Sequence, residues 1–324
     1  MITYFHRNTR AGFSIDKVSK TITTRIQDKE EFHVPSCGAS VLSIIKNIFF
    51  VYRHRNKNGI NHVTGDIHYC LLALIGCKSV LTIHDTVLLD FAKLSTVKRF
   101  LVKLLWFDIP LAIANRVVCI SNETKKAVEK YTKRRDIIVI HNMIDESFQR
   151  LDIQHMNDSK MKILLIGTNP NKNIPRVLQA TKNLDVIITI IGKLSDEMLD
   201  IINQNKLTCI NKMGLTEKEI IAEYNQCDMV IFCSLFEGFG MPILEANAIG
   251  RALLCSDIPI MHEIAGNSAL FVNPEDVNSI SNGLTKLLSD SKLRDALIDN
   301  GFQNVKRFSP EIIMSQWNNL YNSL

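Results

Sequence analysis

The chain has 324 residues, of which 46% are hydrophobic and 22% are charged, and this composition predicts a globular protein with room for two domains. The formal net charge of +5 is modest and no nucleic-acid-binding motif is recognisable, so nucleic acid is not an expected partner. No apolar run approaches the roughly 18 residues that a membrane-spanning helix needs. The N-terminus lacks the apolar core of a signal peptide, so we expect a cytoplasmic protein whose cysteines stay reduced.

The first half of the chain alternates short apolar runs with helical patterns, which is typical of a parallel sheet covered by helices. The predicted strands are residues 2–5, 31–34, 60–63, 79–83, 116–120 and 137–140. Two helical regions, 44–57 and 93–106, mix apolar and basic residues. Such a helix either packs its apolar side on the core or lies on an anionic membrane, and the sequence leaves both interpretations open.

A polar stretch at residues 149–160 interrupts this rhythm and predicts a linker between two domains. A second series of apolar runs follows the linker. Its predicted strands are residues 161–167, 185–192, 207–210, 229–233, 252–255 and 269–272. Thr216 and Glu219 form a capping box that predicts the start of a helix. The second half therefore repeats the α/β pattern of the first.

Two carboxylates lie close together in the segment SLFEGFGMPILEANAIG, residues 234–250. Glu237 follows the predicted strand 229–233 and lies in a strand-to-helix loop. Pro242 suits the first turn of the next helix, so Glu245 lies about one turn into that helix. Two exposed surface glutamates are the alternative interpretation, because surface exposure is the commonest environment of Glu.

The glycines of this segment predict a ligand site. Gly238 and Gly240 flank Phe239, so the backbone can come close to a ligand and offer its amides at a helix N-terminus. Oxygen-rich anions are favoured at that position, because the helix dipole is positive there. A phosphate or a polyol therefore fits this loop.

The segment resembles the Glu-x7-Glu motif of retaining glycosyltransferases with the GT-B fold, and EGFGMPILEA is similar to the spelling in glycosyltransferase family four, the glycosyl transferases group 1. The resemblance implies two Rossmann-like, doubly wound α/β domains that face each other across a ligand-binding cleft. The acceptor-side domain would be residues 1–150, and the nucleotide-sugar domain residues 160–308. Residues 309–324 would form a helix that crosses back to the N-terminal domain.

The same resemblance implies roles for the loop and the helix. Glu237 would lie by the donor sugar, and Gly238, Phe239 and Gly240 would offer amides to sugar hydroxyls or phosphate. Glu245 would accept hydrogen bonds from the ribose of the nucleotide. Because Glu237 lies beside the sugar, it is a catalytic candidate, either as a nucleophile or as a group that orients the sugar and stabilises its charge.

The segment GTNPNKNIPRVLQA, residues 167–180, resembles the family's phosphate-binding segment, which implies donor contacts from Gly167, Thr168 and Lys172. Lys172 matches the lysine that binds the donor pyrophosphate, where an ammonium group can neutralise the leaving diphosphate. Thr168 stands where many members carry arginine, and Asn171 replaces another frequent basic residue, which weakens the predicted phosphate site. Lys193 and Arg176 are the alternative sources of the missing charge.

In the first half, LTIHDT ends an apolar strand with His84 and Asp85, and it is similar to the family's strand that ends in His-Asp. The resemblance implies that His84 contacts the donor sugar or phosphate, which makes it the second catalytic candidate beside Glu237, with its charge state left open. His62 lies in the predicted strand 60–63, whereas Asp66 and Arg7 follow predicted strands, and all three are acceptor-side candidates. Helix capping and loop hydrogen bonding are the alternative roles for each of them.

The predicted reaction is transfer of a glycosyl group from a nucleotide sugar to a hydroxyl acceptor, with retention at the anomeric carbon. By family analogy the acceptor is a lipid-linked glycan of bacterial surface polysaccharide synthesis, such as lipopolysaccharide, O-antigen or capsule. That setting favours peripheral contact with the anionic inner face of the plasma membrane. The chain has no Asp-x-Asp pair, so we expect no metal and no other cofactor.

Two other classes of protein stay open at this level. A GT-B nucleotide-sugar epimerase would use the donor alone, without an acceptor. A non-catalytic, nucleotide-binding GT-B protein would bind the nucleotide without turnover. Thr168, and the single Gly12 where the family often has a Gly-Gly loop, keep the second alternative open.

Overall fold

The computed structural model describes residues 1–11, 14–38, 40–90, 94–150 and 160–324. Gly12 and most of the predicted linker, residues 151–159, lie outside these described residues. The chain divides into two compact units. The first unit contains Met1–Met143 together with Pro310–Leu324, and the second contains Ile144–Ser309. The helix predicted at 309–324 therefore belongs to the first unit.

Each unit is built on one parallel sheet of six strands. In the first unit the strands are β1 Ile2–His6, β2 Lys29–His33, β3 Ile60–Val63, β4 Lys78–Ile83, β5 Arg116–Cys119 and β6 Ile138–Val139, in the order β2-β1-β3-β4-β5-β6. In the second unit they are β7 Met161–Ile166, β8 Val186–Ile191, β9 Cys209–Lys212, β10 Met229–Phe232, β11 Ala252–Ser256 and β12 Leu270–Val272, in the order β12-β11-β10-β7-β8-β9. All twelve predicted strands are confirmed to within two residues at either end.

Helices connect the strands and cover the sheets. The first unit contains α1 Ser14–Thr23, α2 Val41–His54, α3 Val87–Asp90, α4 Thr96–Val102, α5 Ile109–Ile113 and α6 Asn122–Glu129. The second contains α7 Ile174–Ala180, α8 Asp196–Gln204, α9 Glu217–Gln226, α10 Met241–Ile249, α11 Pro259–Ala265, α12 Val277–Ser289 and α13 Ser291–Val305, and α14 Pro310–Asn322 ends the chain. The predicted capping box is confirmed at the start of α9.

Several short segments have other helical geometries. Thr9–Ala11, His68–Leu74, Pro170–Lys172 and Lys306–Phe308 are 3-10 helices, and Lys103–Asp108 forms π-helical turns between α4 and α5. In the described part of the chain, none of the helices is both long enough and apolar enough to cross a membrane.

Helix α14 is an integral part of the first unit. Its Trp317 and Tyr321 pack in a core cluster with Ile2, Tyr4 and Val80. The hydroxyl oxygens of Tyr321 and Tyr4 lie 2.9 Å apart. Because burial at this cluster removes large aromatic surfaces from water, the C-terminal helix stabilises the sheet of the first unit.

The strand order creates a switch point in each sheet. In the second unit the chain runs from β7 outward through β8 and β9, and then returns to the other side of β7 as β10. In the first unit, β1 lies between β2 and β3. Ligands of open α/β sheets bind at the carboxyl ends of strands beside such points. We therefore expect ligand-binding sites at the loops after β7 and β10 in the second unit, and after β1 and β3 in the first.

Candidate active site

The loop after β7 is shaped by two residues with left-handed backbones. Gly167 has φ 81°, and a Cβ atom there would lie 3.2 Å from Cε of Lys172. Asn173 has φ 59°, and its side-chain amide donates to the carbonyls of Cys233 (3.1 Å) and Pro274 (2.7 Å). A non-glycine residue in this conformation is uncommon, and these two hydrogen bonds offset its strain. The loop thus presents Lys172 beside the end of β10.

Lys172 forms an ion pair with Glu237. Its Nζ lies 2.6 Å from Oε1 of Glu237, and the two side chains are 19% and 14% exposed. The ammonium also lies 4.8 Å from the ring centroid of Phe232, the last residue of β10. The structure thus brings together two predicted site residues that are far apart in the sequence, a cation for phosphate and a carboxylate for the sugar.

Asn171 ties the two loops together. Its side-chain amide donates to the carbonyl of Phe236 and to Oε1 of Glu237, both at 3.2 Å, and its carbonyl accepts from the amide of Leu235 at 2.8 Å. Both bonds to the carboxylate of Glu237 therefore use the same oxygen. Sequence reasoning treated Asn171 only as the loss of a basic residue, and missed this positioning role.

The loop after β10 leads into the N-terminus of α10 as predicted. Gly240 has φ 109° and directly precedes the helix, with Pro242 in its first turn. The Phe239 side chain is buried and packs edge-on against Phe308, with ring centroids 6.0 Å apart. Because the ring of Phe239 is packed inside the protein, only its backbone can make the predicted ligand contacts.

Glu245 lies inside α10 and is largely buried. The hydroxyl of Tyr224, on α9, donates to its Oε2 at 2.5 Å. Burial raises the pKa of the Tyr224 phenol well above its ordinary value, with the Glu245 carboxylate adding to the effect, so the hydroxyl stays protonated and remains a donor. Sequence reasoning did not identify Tyr224, which has no local signal to distinguish it from a core aromatic residue.

The structure shows where Arg176 and Lys193 lie, the two residues that could replace the positive charge absent at Thr168. Thr168 follows Gly167, and a Cβ at Gly192 would lie 2.7 Å from its Oγ1. Arg176 donates to Oδ1 of Asn173 at 2.9 Å, so its guanidinium is used to hold the loop. Lys193 is exposed. Lys172 is the cation that the loop geometry places beside Glu237.

The first unit contains a cavity of about 250 Å³ at the carboxyl ends of its strands. It is lined by Arg7 after β1, by Asp66 after β3 and by His84 and Asp85 after β4. Three of the predicted site residues, Arg7, Asp66 and His84, therefore meet at one cavity. Apolar side chains that sequence reasoning missed form other parts of the wall: Ile15, Val87, Leu88, Trp106 and Phe107.

His84 is held neutral by its surroundings. Burial lowers the pKa of its imidazole to about 3, and the nearby His68 and Arg7 add to the effect. Among the described residues, no hydrogen-bond partner is found for its buried Nε2. The sequence left the charge state of His84 open, and burial favours the neutral form. A neutral imidazole at a cavity wall can donate a hydrogen bond to a ligand hydroxyl or accept one from it.

His62, predicted as an acceptor-side candidate, is engaged in hydrogen bonds inside the first unit. Its Nδ1 lies 2.8 Å from the hydroxyl of Tyr321, and its Nε2 lies 2.7 Å from Oγ1 of Thr82. Its side chain is buried, and burial lowers the pKa of the imidazole to about 3. Because both ring nitrogens are occupied, His62 is a structural residue that fastens α14 to the sheet.

The other expectations concern metals and cysteines. Within the residues that the structure describes, no group of three or more His, Cys, Asp or Glu side chains is arranged to hold a metal ion. All eight cysteines are free thiols, and five of them are buried: Cys70, Cys119, Cys227, Cys233 and Cys255.

Two doubly wound units, with a glutamate-containing loop that leads into the N-terminus of a helix as the loop after β10 does, define the GT-B class of glycosyltransferases. The family model for glycosyl transferases group 1 matches residues 121–304, and the model for glycosyltransferase family 4 matches residues 32–148. The first match alone covers more than half of the chain. The protein belongs to the glycosyl transferases group 1 and is a glycosyltransferase of family four.

Individual proteins agree with this assignment. The uncharacterised glycosyltransferase MJ1178 of Methanocaldococcus jannaschii is 22% identical over 330 residues, which cover 99% of this chain and 90% of that protein. The O-antigen chain mannosyltransferase RfbU of Salmonella typhimurium is 26% identical over 225 residues, which cover 64% of this chain and 61% of RfbU. The structure of Anabaena Alr3699/HepE in complex with UDP and glucose has a TM-score of 0.82 at 15% identity, with 100% of both chains covered, and so shares the fold.

Proposed function

We propose that this glycosyltransferase uses a nucleoside diphosphate sugar and retains the configuration at the anomeric carbon. The observation that carries the proposal is the pair of Lys172 and Glu237, 2.6 Å apart beside the N-terminus of α10. A cation and helix amides suit a diphosphate, and a carboxylate next to them suits the sugar that the diphosphate carries.

The chemistry follows from these positions. The bond between the anomeric carbon and the diphosphate oxygen breaks, and the acceptor oxygen forms the new bond on the same face of the sugar. Lys172 and the amides around Gly240 stabilise the charge on the departing diphosphate, which takes the proton of the acceptor hydroxyl. When the diphosphate takes over Lys172, Asn171 still holds Oε1 of Glu237, and this carboxylate orients the sugar as it becomes oxocarbenium-like. The reaction needs no metal ion in this scheme.

The nucleotide is proposed to bind along α10. Glu245 accepts hydrogen bonds from the ribose, and the Tyr224 hydroxyl keeps Oε2 of that carboxylate in place. Gly167 and Thr168, at the end of β7, lie on the phosphate side of the same site. These roles rest on the family motif and on the contacts of each residue.

The acceptor is proposed to enter the cavity of the first unit. Arg7, Asp66 and neutral His84 offer charge and hydrogen bonds to a glycan, and the apolar wall suits the face of a sugar ring or a lipid group. The likeness to an O-antigen chain mannosyltransferase supports a glycan of bacterial surface polysaccharide as the acceptor, and we propose that this glycan is lipid-linked. The likeness also makes a mannose nucleotide the first donor to test, with UDP-glucose second because of the Alr3699/HepE structure.

A ligand panel is the first test. We expect one nucleoside diphosphate, and its sugar conjugate, to raise the melting temperature, since a ligand that binds only the folded state stabilises it. NMR of the product formed in EDTA should show an anomeric configuration equal to that of the donor. An isomerised donor without transfer would identify an epimerase, and nucleotide binding without turnover would identify a non-catalytic protein.

Two substitutions then separate the proposed roles. Glu237→Gln should lower kcat by about 100-fold or more, because it removes charge beside the reacting sugar, and should not weaken nucleotide binding, because it releases Lys172 for the diphosphate. Glu245→Ala should mainly raise the nucleotide dissociation constant. Unchanged turnover in both variants would overturn the site assignment. Complete loss of activity in EDTA with recovery in Mn²⁺ would overturn the metal-independent scheme.

A further inference from the structure

Helix α2 is apolar on two sides. Ile44, Ile48 and Val51 pack on the core cluster beneath the helix. Leu42 and Phe49 lie on the outer side at helical spacing and are 80% and 58% exposed. Ile45 and Tyr52 are exposed on the same side. Packing on the core explains why the inner side of α2 is apolar, but it does not explain why the exposed outer side is apolar as well.

Helix α4 adds a second group of exposed apolar side chains. Phe100 is 61% exposed, and Val97 and Leu101 are exposed beside it. The chain continues from α4 into the π-helical segment, where Trp106 and Phe107 join the same core cluster as Val51 of α2. Both helices therefore cover the same face of the first sheet. We call the exposed side chains of α2 and α4 the outer apolar surface: Leu42, Ile45, Phe49, Tyr52, Val97, Phe100 and Leu101.

The charged residues on α2 and α4 themselves all have one sign. The sequence contains no Asp or Glu between Glu31 and Asp66, and none between Asp90 and Asp108. The exposed cations on the two helices are Lys46, Arg53, Lys98 and Arg99. The guanidinium of Arg53 lies 5.7 Å from the ring centroid of Phe49, so cation and apolar group share one surface.

We propose that the outer apolar surface docks on an anionic lipid bilayer. An ordinary solvated helix face does not explain seven exposed apolar side chains, which would gain free energy on leaving water. Exposed cations on two helices that contain no Asp or Glu complement an anionic headgroup layer, and each cation close to such a layer strengthens binding by roughly fivefold. The combination of inserted apolar groups and flanking cations is what interfacial helices use.

The position of the surface also suits the acceptor. The chain runs from Leu101 at the end of α4 to Trp106 at the wall of the cavity within about two helical turns. A bilayer that contacts α4 would therefore lie close to that wall. This connection rests on the proposed function, whereas the docking itself needs no transfer activity.

Vesicle sedimentation tests the docking with the whole protein. Wild type should sediment with vesicles of equal parts phosphatidylcholine and phosphatidylglycerol, and much less with phosphatidylcholine alone. Phe49→Ser with Phe100→Ser should weaken binding by about tenfold per side chain, since each loses apolar surface that would be buried. Lys46→Glu with Lys98→Glu should weaken binding to the anionic vesicles by roughly twentyfold or more, because each change reverses a charge.

Matched changes in the second unit provide the controls. Leu199→Ser on α8 and Lys218→Glu on α9 alter exposed residues of the same types on helices, and both variants should bind vesicles like wild type. Melting temperatures within the error of wild type would show that the test variants fold. Equal binding to neutral and anionic vesicles, or no loss in the test variants, would overturn the proposal.

A second copy of the chain is the competing occupant of this surface. A dimer in solution that Phe49→Ser with Phe100→Ser converts to a monomer, without vesicle binding by wild type, would also overturn the proposal. The nucleotide-binding assay separates this failure from that of the proposed function. Loss of docking leaves nucleotide-induced stabilisation intact, whereas a wrong function leaves vesicle binding intact.

Discussion

The ion pair of Lys172 and Glu237 can be weighed with a double-mutant cycle. At 2.6 Å and an effective dielectric constant of about 20, two unit charges attract by roughly 6 kcal/mol. Both side chains are mostly buried, so the loss of hydration offsets most of this attraction. We therefore expect a coupling free energy of about 1–3 kcal/mol between them in the ligand-free protein, as measured for residues in contact.

The assay is urea unfolding of wild type, Lys172→Met, Glu237→Gln and the double variant. Because a bound diphosphate is proposed to take over Lys172, the coupling should fall below about 0.5 kcal/mol when the cycle is repeated with saturating nucleoside diphosphate. The exposed pair of Lys126 and Glu123, also 2.6 Å apart, is the control and should couple by about 0.2–0.5 kcal/mol in both conditions. Weak coupling without ligand, or coupling that diphosphate leaves unchanged, would refute the reasoning.

Two further predictions concern buried hydrogen bonds. Tyr224→Phe removes the hydroxyl that donates to Glu245, and it should lower the free energy of unfolding by about 1.5–3 kcal/mol. Calorimetry should also show weaker nucleotide binding. An unchanged dissociation constant would contradict a role of Tyr224 at the ribose site. Burial lowers the pKa of His62 in the folded protein to about 3, whereas the pKa of a histidine in the unfolded chain is about 6.5. Between these two pH values the unfolded chain therefore takes up a proton that the folded state excludes. The stability due to neutral His62 is therefore complete above pH 6.5 and falls by up to about 1.4 kcal/mol per pH unit as the pH drops towards 3. In urea unfolding between pH 7 and 4.5, the free energy of unfolding of His62→Gln should fall less than that of wild type, and equal slopes would contradict the assignment.

The central strands were predictable because they are buried on both faces, whereas the edge strands β2 and β9 are partly exposed. In parallel sheets this burial produces continuous apolar runs such as VIITII in β8, bounded by polar or glycine residues. The order of the strands was not predictable in the same way. The return of β10 to the side of β7 is a non-local pairing, and the local pattern of either strand contains no information about it.

The helices show where periodicity stops being informative. In α2 the apolar positions are visible in the sequence, yet they belong to two sides of the helix, with Val51 in the core and Phe49 in solvent. A sequence pattern cannot tell which apolar side faces the sheet when both are apolar. The sequence did not predict the π-helical turns at Lys103–Asp108, where Trp106 and Phe107 are buried in the core cluster.

The site was predicted as a set of residues but not as a set of contacts. The motif identified Glu237 and Lys172 separately, and their pairing follows only from the position of β10 beside β7. The contacts of Asn171 could not be predicted by comparing its residue type with that of the family. A basic residue there would add charge at the phosphate, whereas the shorter amide reaches the carbonyl of Phe236 and Oε1 of Glu237. The chain has thus exchanged a possible second cation for a tether that fixes the carboxylate, and the phosphate site depends on Lys172 to a correspondingly greater degree.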